Sequence, residues 1–374
     1  MPYGVIVPSA ATVAHSLTAA LLGLVAGLAL VPAAGANGWR RARPPALTVM
    51  TRNIYVGGDT ARPVLLSRTR ADFERRNTQL WRTVRKTDFR ARARLLVREI
   101  SRTRPEVVGL QEVALWRRGH KGVTDGPATP ARKVVYDFLK ILQRELHRSG
   151  LRYRAAARQR NSDVEAPTTL GYDVRLSDRD VILVKRSRRL HVGRSLARHF
   201  KARISVVVAG IPIEVVRGWT SLDLRVAGRR LRFVTTHLDP TLEVVRNAQV
   251  HELLSRAGPT RTRRPVILAG DLNTTPAGGT QPNAYRVLRR AGFSDTWVQR
   301  NGSRPGHSCC MRREDILDPP PAPFNRRIDY ILGRPRFRVL RTRIVGRNPR
   351  NRARSGLWPS DHGGHVVRMR LRRR

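Results

Sequence analysis

Acidic residues are scarce in this chain of 374: 27 Asp+Glu stand against 73 Lys+Arg, a formal net charge of +46. Lysine is scarce as well, supplying only six of the basic residues, so the excess is almost entirely arginine. Cysteine occurs twice, as the neighbours Cys309 and Cys310, which excludes a small domain stapled by disulfides. No second Cys/His pair stands at ligand spacing from them, which disfavours a zinc site. Periodic glycine and low-complexity tracts are missing, excluding a collagen and a disordered tail. Only one apolar run, Leu17 to Val31, is long enough to consider for a membrane, so a multi-span protein is excluded. Aromatics make up 6% and do not interleave with the basic runs, leaving no stacking platform for single-stranded nucleic acid.

What is present is 40% hydrophobic residues, enough to bury a core in one large domain or two ordinary ones. Residues 1–36 hold no Lys, Arg, Asp or Glu. Their apolar run ends in Pro32 and Ala34-Gly35-Ala36, an h-region followed by a small-residue cleavage site, which predicts an export signal and a secreted or envelope protein. The uncharged n-region and Arg40, Arg41 and Arg43 beyond the cleavage site oppose translocation, which keeps a short membrane anchor as the alternative. Residues 46–374 form the expected domain, with no repeat and no linker.

Short Val/Ile/Leu-rich runs predict strands at Leu47–Ile54, Val107–Leu110, Val181–Val184, Ile204–Val208, Ile213–Val226, Leu231–His237, Val266–Ala269, Ile328–Leu332 and Val366–Leu371. Ala227-Gly228 reads as a hairpin turn. Arg90–Ser101 places Ala93, Leu96, Val97 and Ile100 on one helical face with Asp88 as N-cap, and Val134–His147 and Leu242–Leu254 carry similar stripes. Interleaved strands and helices favour a layered α/β domain with mixed sheets.

Polar residues gather where these runs end: Asn53, Gln111-Glu112, His237, Asp271 with Asn273, Asp329, and Ser360-Asp361-His362. Strand ends are where open sheets assemble ligand sites. Carboxylates, carboxamides and two histidines suit a hard divalent cation beside a phosphate, Mg²⁺ or else Mn²⁺ or Ca²⁺, in preference to zinc. At MTRNIY, VVGLQEV, VTTHLD, AGDLNTTP, RRIDYIL and PSDHGG the chain resembles the endonuclease/exonuclease/phosphatase superfamily, with the six motifs in that superfamily's order.

The resemblance implies a four-layer α/β/β/α sandwich of two mixed sheets flanked by helices, deoxyribonuclease-like, and metal-dependent phosphoester hydrolysis. Carried over motif by motif, it makes Glu112 the main metal ligand, with Asn53 and Asp361 completing or orienting the site. His362 becomes the general base on water, held by Asp329. Asp271 binds the nucleophilic water or a second metal. Asn273 donates to a phosphoryl oxygen, and His237 faces the phosphate as clamp or acid. GHSCC is similar to a bacterial exported sub-branch with paired cysteines, placing His307 on a rim loop and allowing a Cys309–Cys310 disulfide. Neighbouring Cα atoms at ~3.8 Å nevertheless fall below the usual disulfide span.

Tyr55 stands where abasic-site endonucleases have aspartate, so their ligand set does not transfer whole. The long segment Gly57–Asp88, with Arg68, Arg70, Arg75 and Arg76, either shapes the substrate pocket or is a surface helix. Asp178 and Asp180 open a central strand, and Asp180 is a candidate phosphate contact. The positive charge should attract polyanions, though arginine is spread over the whole chain. A nuclease on DNA or RNA is therefore the first expectation, with a phospholipid-headgroup or small-ester phosphodiesterase second. A basic protein binding nucleic acid or an anionic envelope with an idle site comes third. No protein partner is implied.

Overall fold

Alternation along the strands decides the layering. A computed structural model describes residues 45–122, 131–277 and 283–370; the export signal expected in residues 1–36 lies outside these. The first half of the chain runs β1 (Ala46–Asn53), α1 (Ala61–Leu66), α2 (Arg70–Lys86), α3 (Phe89–Thr103), β2 (Val107–Gln111), β3 (Leu115–His120), β4 (Lys133–Asp137), α4 (Phe138–Arg148), β5 (Tyr153–Ala166) and β6 (Tyr172–Lys185). There follow β7 (Leu190–His199), β8 (Ile204–Val208), β9 (Ile211–Val215), β10 (Gly218–Val226), β11 (Arg229–His237), α5 (Glu243–Leu254) and β12 (Val266–Asp271). The chain closes with α6 (Ala284–Arg290), β13 (Ser294–Asp295), α7 (Thr296–Asn301), β14 (Asp329–Arg334), β15 (Arg338–Val345) and β16 (Gly364–Arg370).

One sheet orders its strands β15-β16-β1-β2-β6-β3-β4, with β5 also on β6; a second orders β13-β14-β12-β11-β10-β7; β8 and β9 form a separate hairpin. Both sheets are mixed, since β1–β2 and β11–β12 are parallel while their other pairs are antiparallel. Successive residues of a strand face opposite ways. Val49, Val107 and Ile182 thus meet Phe233, Ile267 and Ala269 between the sheets. Met50, Val108 and Leu183 turn instead to Leu96, Ile100 and Leu142 of α3 and α4. Val234, Val266 and Leu268 turn to Val250, Leu253 and Leu288 of α5 and α6. The result is the expected four-layer α/β/β/α sandwich. Gly109 lets the sheets close on one another, because a Cβ there would lie 2.5 Å from Thr235 Oγ1.

Several expectations change in detail. Val134–His147 is not one helix: Lys133–Asp137 pairs with β3 before α4 begins, and the Asp137 carboxylate caps that helix at Lys140 N. Ile213–Val226 breaks after Val215, so its halves serve different sheets. Strands β3, β5, β7 and β15 escape the sequence pattern because they are arginine-rich and much of their surface is exposed. The Asp88 cap on α3 holds, its carboxylate accepting from Arg90 N and Ala91 N. Ala227 and Gly228 form the tight turn, both at positive φ. Among the described residues no helix is long and apolar enough to cross a membrane.

Strand β1 is braced from α3 by a buried ion pair, Arg52 Nε to Glu99 Oε2 at 3.0 Å. Arg52 also donates to the carbonyls of Asn53 and His362. Glu99→Ala leaves that guanidinium buried without its partner and should cost about 3–5 kcal/mol, measured by urea unfolding. A wild-type midpoint would show that the pair does not brace the strand.

Candidate functional site

Register carries the polar strand ends to one place. Asn53 stands beside Gln111 across the parallel pair β1–β2. In the other sheet His237 pairs with Asp271, and Asp271 with Asp329. Gln111 links the sheets beneath the site, accepting from Thr51 Oγ1 and donating to Thr235 Oγ1 at 2.8 Å. The Ser360–His362 turn arrives from the entry to β16. Its position is set by Ser360 Oγ donating to Asn53 O and by Arg92, whose buried guanidinium donates to the carbonyls of Ile54, Tyr55, Thr87 and Pro359.

Asn53 is the hub. Its Nδ2 donates to Glu112 Oε1 at 2.8 Å and to Asp271 Oδ2 at 3.1 Å, and its Oδ1 accepts from Tyr55 N. It therefore orients the two carboxylates. Glu112 takes a further hydrogen bond from Val56 N at 2.7 Å. Tyr55, Glu112 and Asn273 all adopt positive φ, a backbone strain that concentrates at functional sites. Burial, and next Asp361, push the Glu112 carboxyl up to about 7. Burial likewise pushes Asp271 up to about 6 and raises Asp361.

The two histidines are held differently. His362 Nδ1 lies 2.9 Å from Asp329 Oδ2, an oxygen that also accepts from Ser308 Oγ at 2.7 Å. Burial opposes charge on this imidazole, but Asp329, Asp361 and Asp271 outweigh it and raise the pKa well above the ordinary value. His237 is pushed the other way by burial, Arg217 and His362. Arg217 Nη1 is 3.0 Å from His237 Nδ1 and 2.8 Å from Asp178 Oδ2. A guanidinium can only donate, so Nδ1 accepts and neutral His237 carries its proton on Nε2. The Nε2 atoms of both histidines lie 3.6 Å from Asp271 Oδ2.

Glu112, His237, Asp271, Asn273, Asp361 and His362 line one cavity of about 560 Å³. Asn53 and Asp329 are buried beside it. Asn273 spends one amide hydrogen on Leu238 O, leaving the other for a ligand. Asp180 is fully buried and is not among the lining residues; Asp178 is. Two residues apart, they would share a face of a regular strand; the β5–β6 register shifts between Arg160 and Asp163, beside Asp178. Within the long segment, Gly58, Pro63, Val64, Phe73, Asn77 and Leu80 line the cavity, whereas Arg70, Arg75 and Arg76 pair with Glu74 and Asp72. Cys309 and Cys310 are joined in a disulfide across a cis peptide, their Cα atoms 3.2 Å apart. Sequence reasoning missed Arg217 and Ser308; nothing marks either among so many arginines and serines.

Glu112, Asp271 and Asp361 crowd negative charge into a buried face, and the hydrogen bonds to Glu112 come from uncharged groups. Such a donor set fits a hard divalent cation. Asp271, Asp329 and His362 also bring ligand atoms within 4.8 Å of one another, but the Asp329–His362 hydrogen bond already occupies two of those groups.

The sequence model of the endonuclease/exonuclease/phosphatase family matches residues 53–362. No curated protein sequence matches the chain. Among solved structures, a family protein from Bacteroides thetaiotaomicron is 14% identical, with a TM-score of 0.53 over 88% of this chain and 100% of that one. One from Beutenbergia cavernae is 21% identical, with a TM-score of 0.52 over 88% and 72%. D. rerio TDP2 complexed with single-strand DNA product is 17% identical, with a TM-score of 0.50 over 87% and 99%. These likenesses concern the fold.

Asp329→Asn removes the carboxylate that contributes most to raising His362. The pKa of that imidazole should fall, read by NMR titration of the metal-free protein. An unchanged titration would rule out the pairing.

Proposed function

The chain belongs to the endonuclease/exonuclease/phosphatase family and is a metal-dependent hydrolase of phosphoester bonds, and on that premise we propose that the Glu112–Asp271–His362 cluster is where it acts. The carrying observation is the Asp329–His362 hydrogen bond at 2.9 Å, which aims His362 Nε2 toward Asp271. In the proposed reaction His362 Nε2 takes a proton from water held by Asp271, and the water oxygen attacks phosphorus as the ester bond opposite it breaks. Asp329 fixes the tautomer and stabilises the imidazolium. His237 Nε2–H and the free amide hydrogen of Asn273 donate to oxygens of the phosphoryl group, where negative charge builds.

Glu112 and Asp361 would hold the divalent cation, with Asn53 orienting Glu112; Mg²⁺, Mn²⁺ and Ca²⁺ all suit oxygen donors. When bound, it supplies positive charge for the phosphoryl and leaving oxygens and offsets the carboxylate field around His362.

For the substrate, nucleic acid draws support from the net charge of +46 and from the DNA-bound neighbour. The cavity favours the second reading, a single small phosphoester. Its lining holds seven carboxylates (Asp59, Glu112, Asp178, Glu214, Asp271, Glu314 and Asp361) against three arginines (Arg217, Arg312 and Arg313). Glu112, Asp271 and Asp361 serve the cation and the water, and two of the three arginines are already paired, Arg217 with Asp178 and Arg313 with Asp315, which leaves little to grip a polyanion.

Glu112→Gln and His362→Ala should each lower hydrolysis of bis(p-nitrophenyl) phosphate by at least ~10²-fold while circular dichroism stays unchanged. Near-normal turnover in either would end the assignment. Chelation with EDTA should abolish wild-type turnover and Mg²⁺, Mn²⁺ or Ca²⁺ should restore it. Turnover that persists in EDTA would remove the cation from the proposal.

A further inference from the structure

The catalytic groups share their cavity with a wall that is aliphatic and aromatic. Phe73 and Leu80 come from α2, Trp116 from β3, Val164 from β5, Leu176 from β6 and Ile213 from β9. Much of this wall lies outside the sandwich. Phe73, Ala166, Val208, Ile211 and Ile213 form a small cluster of their own, joined by Val64 and Val164 and separate from the cores between and outside the sheets. Helices α1 and α2 and the β8–β9 hairpin therefore close against one another beside the site; Phe73, Trp116 and Ile213 are buried behind the wall, while Leu80, Val164 and Leu176 stay partly exposed on it. Exposing such surface to water is unfavourable unless a ligand covers it.

We infer that this chamber binds a compact apolar substituent, aromatic or branched aliphatic, of the phosphoester whose phosphorus is attacked beside His362. The inference rests on the phosphoester reading of the site. Three observations select this occupant. The wall offers apolar contact to the group attached to the phosphate. Two of the three lining arginines are already paired, Arg217 with Asp178 and Arg313 with Asp315, which leaves little to hold a second phosphate. The volume of about 560 Å³ falls in the range of small-molecule pockets. Neither Leu80 nor Val164 contacts the reacting atoms in the proposed reaction, so both act on specificity.

Three inert phosphonate monoanions separate the possibilities: monomethyl phenylphosphonate, monomethyl methylphosphonate and thymidine 5′-methylphosphonate. Each is tested as an inhibitor of methyl p-nitrophenyl phosphate hydrolysis by the full chain with Mg²⁺ or Mn²⁺. Burying the ring should make the phenyl compound at least about tenfold tighter than the methyl compound, with the nucleoside no tighter than methyl. Leu80→Asn and Val164→Trp, which make the wall polar or fill it, should shrink the phenyl advantage in Ki to within about twofold and raise the KM for methyl p-nitrophenyl phosphate, whose ring would use the same wall, while its hydrolysis persists.

Equal inhibition by phenyl and methyl compounds, or an advantage that survives in both variants, would overturn the inference and leave the catalytic assignment standing. Tighter binding of the nucleoside than of the phenyl compound would overturn it in favour of nucleic acid. A chain that hydrolyses no phosphodiester with any of the cations fails at the parent reading, a distinguishable result.

Discussion

Burying carboxylates beside one another is costly, and the structure is arranged around that cost. Glu112, Asp271, Asp329 and Asp361 converge within one face, and burial, with Asp361 beside Glu112 and Asp329 beside Asp271, pushes Glu112 and Asp271 up to about 7 and 6. Neutral donors carry part of the load: Asn53 bridges Glu112 and Asp271, Val56 N binds Glu112, and Ser308 binds Asp329. A divalent cation matches the remainder. Two fully buried arginines hold the backbone that presents these groups. Arg52, paired with Glu99, ties the end of β1 to the carbonyl of His362. Arg92 ties α3 to the chain on both sides of the site through carbonyls alone. Its burial lowers its own pKa to about 10, still far above neutrality.

Layering supplies the geometry. Neither sheet contains the whole constellation: Asn53 and Glu112 come from one, His237, Asp271 and Asp329 from the other. They meet because Gly109 lets the sheets approach and Gln111 hydrogen-bonds across the gap to Thr235. A single hydrogen-bonded unit then runs from Tyr55 through Asn53 to both carboxylates, and distances within it depend on sheet packing more than on any loop.

The charge of the whole molecule is a poor guide to the charge at the site. Arginines cover the sandwich, yet the cavity gathers more carboxylates than guanidinium groups. Arg217, one of the three arginines there, is itself tied to Asp178 and to His237. It holds His237 neutral with a defined tautomer, a role that net charge does not describe.

Much of the sandwich was legible in the residues. Alternating Val, Ile and Leu marked the central strands, Asp88 marked the start of α3, and six motifs in order marked which strand ends matter. The failures share a cause. Strands β5, β7 and β15 bury too little to show a pattern, and the run from Ile213 to Val226 hid the break that delivers Arg217 to the site. Asp178 and Asp180 stand two residues apart, so strand alternation does not separate them, and only the folded chain decides which of them lines the cavity. The sequence by itself thus determined the central strands and the polar residues at their ends, because hydrophobic period and functional-group chemistry are local properties. The tautomer of His237, the acidic lining and the apolar wall were decided by tertiary structure, because each depends on side chains far apart in the chain reaching the same few ångströms.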